Sequence, residues 1–153
     1  MSDDLKPVIR LANISDARGI WQINSMSLGY GYPLEKTESR VVSILKNPFY
    51  RLYVAEWRGK VVGYIHGGDY DCTYFDSLKD ILALAVLPDC QGLGIGRLLL
   101  NEVEAWAKTD GCAGVRLVSG YNRTEAHKFY LRCGYSVRKK QTNFIKLFGD
   151  AGE

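Results

Sequence analysis

This chain of 153 residues is poor in the residues that mark metal sites, disulfide frameworks and membrane spans. It holds two histidines and four cysteines. Cys72, Cys90, Cys112 and Cys133 lie 18, 22 and 21 residues apart, and His66 and His127 are 61 apart. No CxxC pair or zinc-type spacing arises from them, so they read as free thiols of a reducing, cytoplasmic compartment, with no metal site expected. The longest apolar run, Ile81 to Leu87, is seven residues, far below the ~20 needed to span a bilayer. Met1-Ser2-Asp3-Asp4 is acidic and lacks the apolar stretch of a secretory signal. Repeats, low-complexity tracts and Pro/Ser-rich linkers are absent, which predicts one domain over 1–153 with its core at about 8–148. A net charge of +3 is too small to make nucleic acid the main partner, and no membrane partner is expected.

What is present fits a globular protein: 46% hydrophobic and 24% charged residues. The charge is unevenly spread. Residues 69–80 carry Asp69, Asp71, Asp76 and Asp80 against Lys79, a local −3, whereas residues 114–148 carry eight Lys or Arg against Glu125, a local +7. Each run reads either as a solvated face or as one half of a site that holds an anion on one side and a cation on the other.

The periodicities predict strand, two helices, three strands, helix, strand, helix and a terminal hairpin. Pro7 to Ala12 reads as a strand, and Ser15-Asp16 as the cap of a helix carrying Ala17, Ile20, Trp21, Ile23 and Leu28. An amphipathic helix follows over 34–46. Arg51 to Trp57 and Val61 to His66 form a hairpin about Arg58-Gly59-Lys60. After the acidic segment, Ile81 to Val86 is apolar on both faces and reads as a central strand. A helix over 94–108 buries Ile95, Leu99, Val103 and Trp106. A strand over 115–119, a helix over 123–132 and a hairpin of Tyr135 to Val137 with Phe144 to Phe148 complete the chain. The expected fold is mixed α/β: one mostly antiparallel sheet of six to seven strands with about four helices on both faces.

Between the central strand and its helix lies Gln91-Gly92-Leu93-Gly94-Ile95-Gly96-Arg97. Glycines there let a phosphate approach the unpaired N–H groups of a helix N-terminus. A P-loop is excluded because no G-x-x-x-x-G-K-[ST] string exists. A dinucleotide fingerprint fails because Arg97 stands where its third glycine should be. The string Q-x-x-G-x-G (Gln91, Gly94, Gly96), preceded by Val86 and Pro88, resembles the GNAT superfamily of acyl-CoA-dependent N-acetyltransferases. A second segment, Ala126 to Tyr135, is similar to that family's A-x-x-[FL]-Y-x-x-x-G-[FY] helix, and the element order matches from about residue 8 to 148. Arg123 departs from the family, which often has Asn there, and Asn122 is displaced by one position.

The resemblance implies acetyl-CoA as cosubstrate, its pyrophosphate held by Gln91, Gly92, Leu93, Gly94, Ile95, Gly96 and Arg97. The backbone of Leu84, Ala85 and Val86 would pair with the pantetheine arm, and Asn122 would add a contact. Tyr130 becomes the expected acid for the departing thiolate; without the resemblance it reads as a packing aromatic. Asp80 is the expected base, with His66 or a water chain as alternatives. Asp69, Asp71, Tyr70, Tyr74 and Tyr30-Gly31-Tyr32 would border the acceptor, a primary amine of a small molecule or protein, with cationic amines favoured. The expected form is a monomer or homodimer. The rivals are a non-catalytic acyl-CoA-binding or sensor module and a nucleic-acid-binding domain that uses the basic 114–148 surface, which would show steeply salt-dependent DNA affinity.

Overall fold

The structure, a computed structural model, describes residues 6–149. Its contacts divide the chain into two compact units, one ending at Val118 and the other beginning at Ser119.

The first unit is a five-stranded sheet in the order β1 (Val8–Leu11), β2 (Tyr50–Trp57), β3 (Lys60–Cys72), β4 (Phe75–Val86) and β5 (Gly114–Leu117). All neighbours are antiparallel except β4 and β5, which run parallel. Three helices accompany it: α1 (Ala17–Leu28), α2 (Leu34–Lys46) and α3 (Ile95–Thr109). A short turn precedes α1, where Asn13 accepts from Ser15 N–H and Asp16 reaches back to Asn13 N–H. Arg10 holds Asp16 through two bonds of 2.8 and 2.9 Å. Gly29, at φ 72°, ends α1 in the left-handed conformation that glycine permits.

Strand alternation decides which helix each side chain meets. On β3, Tyr64 donates its hydroxyl to Asn24 of α1. A Cβ on Gly67 would meet Trp106 and Val103 of α3. The α1 and α2 helices therefore cover one face and α3 the other. The expected α3 stripe is the core on its side, with Ile95, Leu99, Val103 and Trp106 all buried.

Residues 69–80, an acidic segment without an assigned element in the sequence, are extended strand and turn. They form the outer half of a second hairpin, in which β3 and β4 run on to Cys72 and Phe75. Tyr70, Tyr74 and Phe75 supply β-propensity, and Lys79 pairs opposite Asp69, so one of the four carboxylates is neutralised across the ladder.

The second unit contains α4 (Thr124–Arg132), which ends at Cys133 and Gly134, the latter at φ 92°. Residues 135–149 hold no strand, so the expected terminal hairpin is absent among the described residues and the sheet has five strands, not six or seven. Tyr135 to Val137 offers only three residues to a ladder, too few to stabilise an isolated hairpin. The Arg138-Lys139-Lys140 run adds like-charge repulsion at the connection.

Candidate active site

β5 pairs with β4 only from Leu78 to Ile81, opposite Gly114 to Leu117. Beyond that point β4 continues to Val86 with nothing laddered on its β5 side. Opposite it, Leu87 N–H donates to Val62 O at 2.7 Å. The antiparallel alternation then turns Ala85 and Ala83 toward β3 and Leu84 and Val86 away from it. Leu84 thus presents its N–H and C=O on the open edge. Ala85, expected to share that role, has its backbone engaged with Tyr64 of β3. The Val86 carbonyl accepts from Ser27 Oγ of α1 at 2.7 Å and from Gln91 Nε2 at 3.2 Å. A bulge lies where the strands part: His66 faces Ala83 and Gly67 faces Ile81, which leaves Leu82 as the extra residue, half exposed.

The open edge runs into the glycine-rich loop. Pro88 to Cys90 make one tight turn. Gly92 and Gly94 follow at φ 81° and 82°, a conformation disfavoured for residues with a Cβ. A Cβ at either would meet nothing within 4 Å, so both face open space. The first bond of α3 is Leu98 N–H to Gly94 O at 3.1 Å, and Gly94 contributes no side-chain cap. The N–H groups of Ile95 and Gly96 therefore point out of the helix without an intrahelical acceptor, at the positive end of its dipole. An extended chain could bond Leu84 while an anion at its far end met the loop.

Asp80 lies on β4 two residues before the bulge, on the α1/α2 face. Its Oδ1 accepts from Arg116 Nη1 of β5 at 2.8 Å, and the Arg116 guanidinium lies 4.3 Å from the Tyr70 ring centre. Burial raises the Asp80 pKa above the usual carboxylate value, and Arg116 pulls against it. His66 shares this face, edge-on to Tyr50 with ring centres 4.7 Å apart. Its Nε2 is buried without a partner among the described residues. Burial, with Arg40 adding to it, lowers its pKa to about 4, so the ring is neutral.

Asp69 belongs to the other face. It meets Lys79 Nζ at 2.6 Å, Asp110 meets the same ammonium at 2.7 Å, and Lys79 lies 3.9 Å from the Trp106 ring centre. Burial pulls the Lys79 pKa down, but the bonds to Asp110 and Asp69 outweigh it and the net shift is upward. Asp71 accepts from Ser77 Oγ, and Tyr74 is exposed in the turn between β3 and β4. In the loop before α2, Tyr30 and Gly31 are exposed and Tyr32 O accepts from Trp21 Nε1 at 3.0 Å. Asp69 and Asp80 thus border opposite faces rather than one acceptor side.

Tyr130 and Asn122 belong to the second unit. The Tyr130 ring packs edge-on to Phe129 and Tyr135, with centres 5.3 and 6.0 Å apart. Burial raises its pKa above the ordinary tyrosine value, with Arg123 opposing and Cys133 adding, which favours the protonated hydroxyl. Asn122 is exposed in the turn before α4, where its carbonyl accepts from Thr124 N–H at 2.9 Å. The sequence reading missed Arg116 and Ser27. Arg116 lay inside the basic run without a mark of its own.

A broad open hollow of about 820 Å³ lies elsewhere, between Leu11, Ile14, Leu45 and Leu52. Its titratable side chains are Tyr50 and Arg51, which offer no acid–base pair. No helix of the described residues is long and apolar enough to cross a membrane.

The family profile of the acetyltransferase (GNAT) domain matches residues 48–137. The chain belongs to the GNAT acetyltransferase family. An uncharacterized N-acetyltransferase of Chlorobaculum tepidum is 28% identical over 142 residues, 93% of this chain and 83% of the relative. The aminoalkylphosphonate N-acetyltransferase of Salmonella typhimurium is also 28% identical, over 93% of this chain and 92% of its own length. Among solved structures, the aminoglycoside N-acetyltransferase AAC(6')-Iy in complex with CoA shares the fold at a TM-score of 0.83 and 16% identity, over 92% of this chain and 95% of that one. The protein is an acetyltransferase.

Proposed function

We propose that the chain transfers an acetyl group from acetyl-CoA directly to a primary amine. The observation that carries this reading is the continuity of the open β4 edge at Leu84 with the uncapped, glycine-opened N-terminus of α3. The edge suits a pantetheine arm, and the loop Gln91 to Arg97 suits a pyrophosphate. Gln91 and Ser27 assist by holding Val86 O, which fixes the strand end from which the loop departs. Asn122 is a further proposed contact, resting on its neighbourhood to the α4 motif. The family profile runs across the boundary at Val118, which supports treating both units as one functional domain.

Acetyl-CoA, when bound, supplies the thioester, and its thiol is the leaving group. In the proposed reaction the amine loses a proton to Asp80, directly or through water. The amine nitrogen bonds to the acyl carbon as the carbon–sulfur bond breaks, and Tyr130 gives its proton to the sulfur. The raised Asp80 pKa supports a base closer to working pH than a free aspartate. The raised Tyr130 pKa supports a donor that is still protonated there. His66, already stripped of proton affinity by burial, is the weaker base. The free cysteines fit a reducing cytoplasm.

The charge of the amine is not read from the aspartates, because Lys79 meets Asp69 and Arg116 meets Asp80. That reduces the electrostatic case for a cationic acceptor to Asp71, whose carboxylate accepts from Ser77 Oγ. The direct test is free-thiol release from acetyl-CoA across an amine panel. Amine-dependent release with a matching N-acetyl product is the expected result. CoA binding with no release for any amine would favour the sensor reading.

A further inference from the structure

Arg116 has more donors than its fold contacts use. One Nη1 bond goes to Asp80 at 2.8 Å, and the Tyr70 ring supports the guanidinium plane at 4.3 Å. Among the described residues no other acceptor meets it, although a guanidinium carries five N–H groups. Among the described residues, the buried side-chain nitrogens and oxygens left without partners are His66 Nε2 and Ser119 Oγ. The unspent N–H groups of Arg116 therefore open to solvent, while its side chain is only 17% exposed. A guanidinium whose stem is buried, held in place by a carboxylate and an aromatic plane with N–H groups left facing solvent, can receive a planar or tetrahedral oxyanion.

The position matters as much as the chemistry. Arg116 stands opposite Asp80 in the parallel register, one step before the last pair, Ile81 with Leu117. That is where β4 and β5 part and Leu82 bulges out. Asp80 is two residues, about 7 Å of strand, from the bulge. An amine held at Asp80 thus lies beside Arg116, whose Nη1 is 2.8 Å from the carboxylate. The Asp80–Arg116 pair is neutral as a unit. A molecule with an amine and an anion can match it charge for charge, whereas a diamine would set its second cation against the guanidinium.

We infer that the acceptor is an amine bearing an oxyanion, a carboxylate or a phosphonate or phosphate, and that Arg116 binds this group while Asp80 faces the amine. The inference rests on the acetyltransferase reading above and adds the substrate class. Arg116 is here a specificity-determining residue.

The test compares kcat/KM for thiol release with 3-aminopropylphosphonate, 4-aminobutyrate, 3-aminopropanol and 1,3-diaminopropane, which differ in the group opposite the amine. The anionic pair should exceed the neutral alcohol by about tenfold or more, the scale of a charge-assisted hydrogen bond. The diamine should be the poorest, and the two anions separate carboxylate from phosphonate selection. Propylphosphonate, which has no amine, should inhibit competitively against the amine. In Arg116→Gln the anionic-to-neutral ratio should fall toward one, and Arg116→Lys should restore part of it, readouts that a merely structural role would not move. The parent panel decides the matter even if the variants do not fold. Equal or better turnover of the alcohol or diamine by the parent overturns the anion assignment and leaves the transferase reading intact. Absence of release with every amine overturns the transferase reading, and the inference with it.

Discussion

Gly94 allows the phosphate-loop reading to be tested with strain and charge separated. Its φ of 82° means any side chain carries backbone strain, yet a Cβ there meets nothing within 4 Å. Gly94→Ala, Gly94→Gln and Gly94→Glu should therefore all fold, each destabilised by about 1–2 kcal/mol from the left-handed backbone alone. For a chain of this length that is a fall in Tm of about 2–8 °C, similar across the three. Their CoA affinities should diverge. A glutamate placed about 6 Å from one pyrophosphate charge repels it by about 0.7 kcal/mol at the dielectric of water and about 3 kcal/mol at an effective dielectric of 20. The Glu variant should then bind CoA roughly 3- to 100-fold more weakly than the Gln variant. Titration calorimetry with CoA at low and high salt measures the gap, which should shrink as the screening length falls from about 10 Å at 0.1 M to about 3 Å at 1 M. The reasoning is refuted if the Glu and Gln variants, both folded by circular dichroism, bind CoA as the parent does.

Three further perturbations address the remaining parts of the site and the sheet that holds it. Tyr130→Phe should leave CoA affinity within a few-fold by calorimetry and lower kcat by roughly 10²-fold or more, the scale of a positioned acid; an unchanged kcat would return the ring to packing. Asp80→Asn should lower kcat/KM most between the raised Asp80 pKa and the pKa of the amine; a pH–rate profile should show parent and variant converging in acid, where Asp80 is protonated, and partial recovery toward alkaline pH, where the amine is already deprotonated. Lys79→Met should lower stability at neutral pH by about 2 kcal/mol by urea unfolding, at the lower end for a broken ion pair because Asp69 and Asp110 keep side-chain exposures of 31% and 44% and can resolvate. The folded Lys79 pKa is raised, so its contribution is complete below the unfolded lysine value near ~10.4; it should fade as pH rises through the folded value, and parent and variant should converge there.

The parts of the molecule legible in the sequence are those whose cause is local. The α3 stripe follows from a 3.6-residue period, and Ile95, Leu99, Val103 and Trp106 are buried as that period requires. Gly92 and Gly94 stand where the backbone turns left-handed between strand and helix, a demand that glycine meets within one residue. The terminal hairpin did not form because its first arm, Tyr135 to Val137, is only three residues long, too short to hold an isolated two-stranded ladder.

The placement of the charges depends on pairings that are not local. A window over 69–80 sums Asp69, Asp71, Asp76 and Asp80 as one acidic patch, yet the strands send consecutive side chains to opposite faces. Asp69 goes to the α3 face and Lys79, and Asp80 goes to the α1/α2 face and Arg116, 36 residues away in the chain. That second pairing exists only because β4 and β5 are in parallel register, which no spacing in the sequence encodes. Charge counted along the chain predicted a negative acceptor side. Counted across the sheet, Asp80 belongs to a neutral pair with unspent donors on its cationic member, and the proposed preference for an amine that also bears an oxyanion rests on that pair.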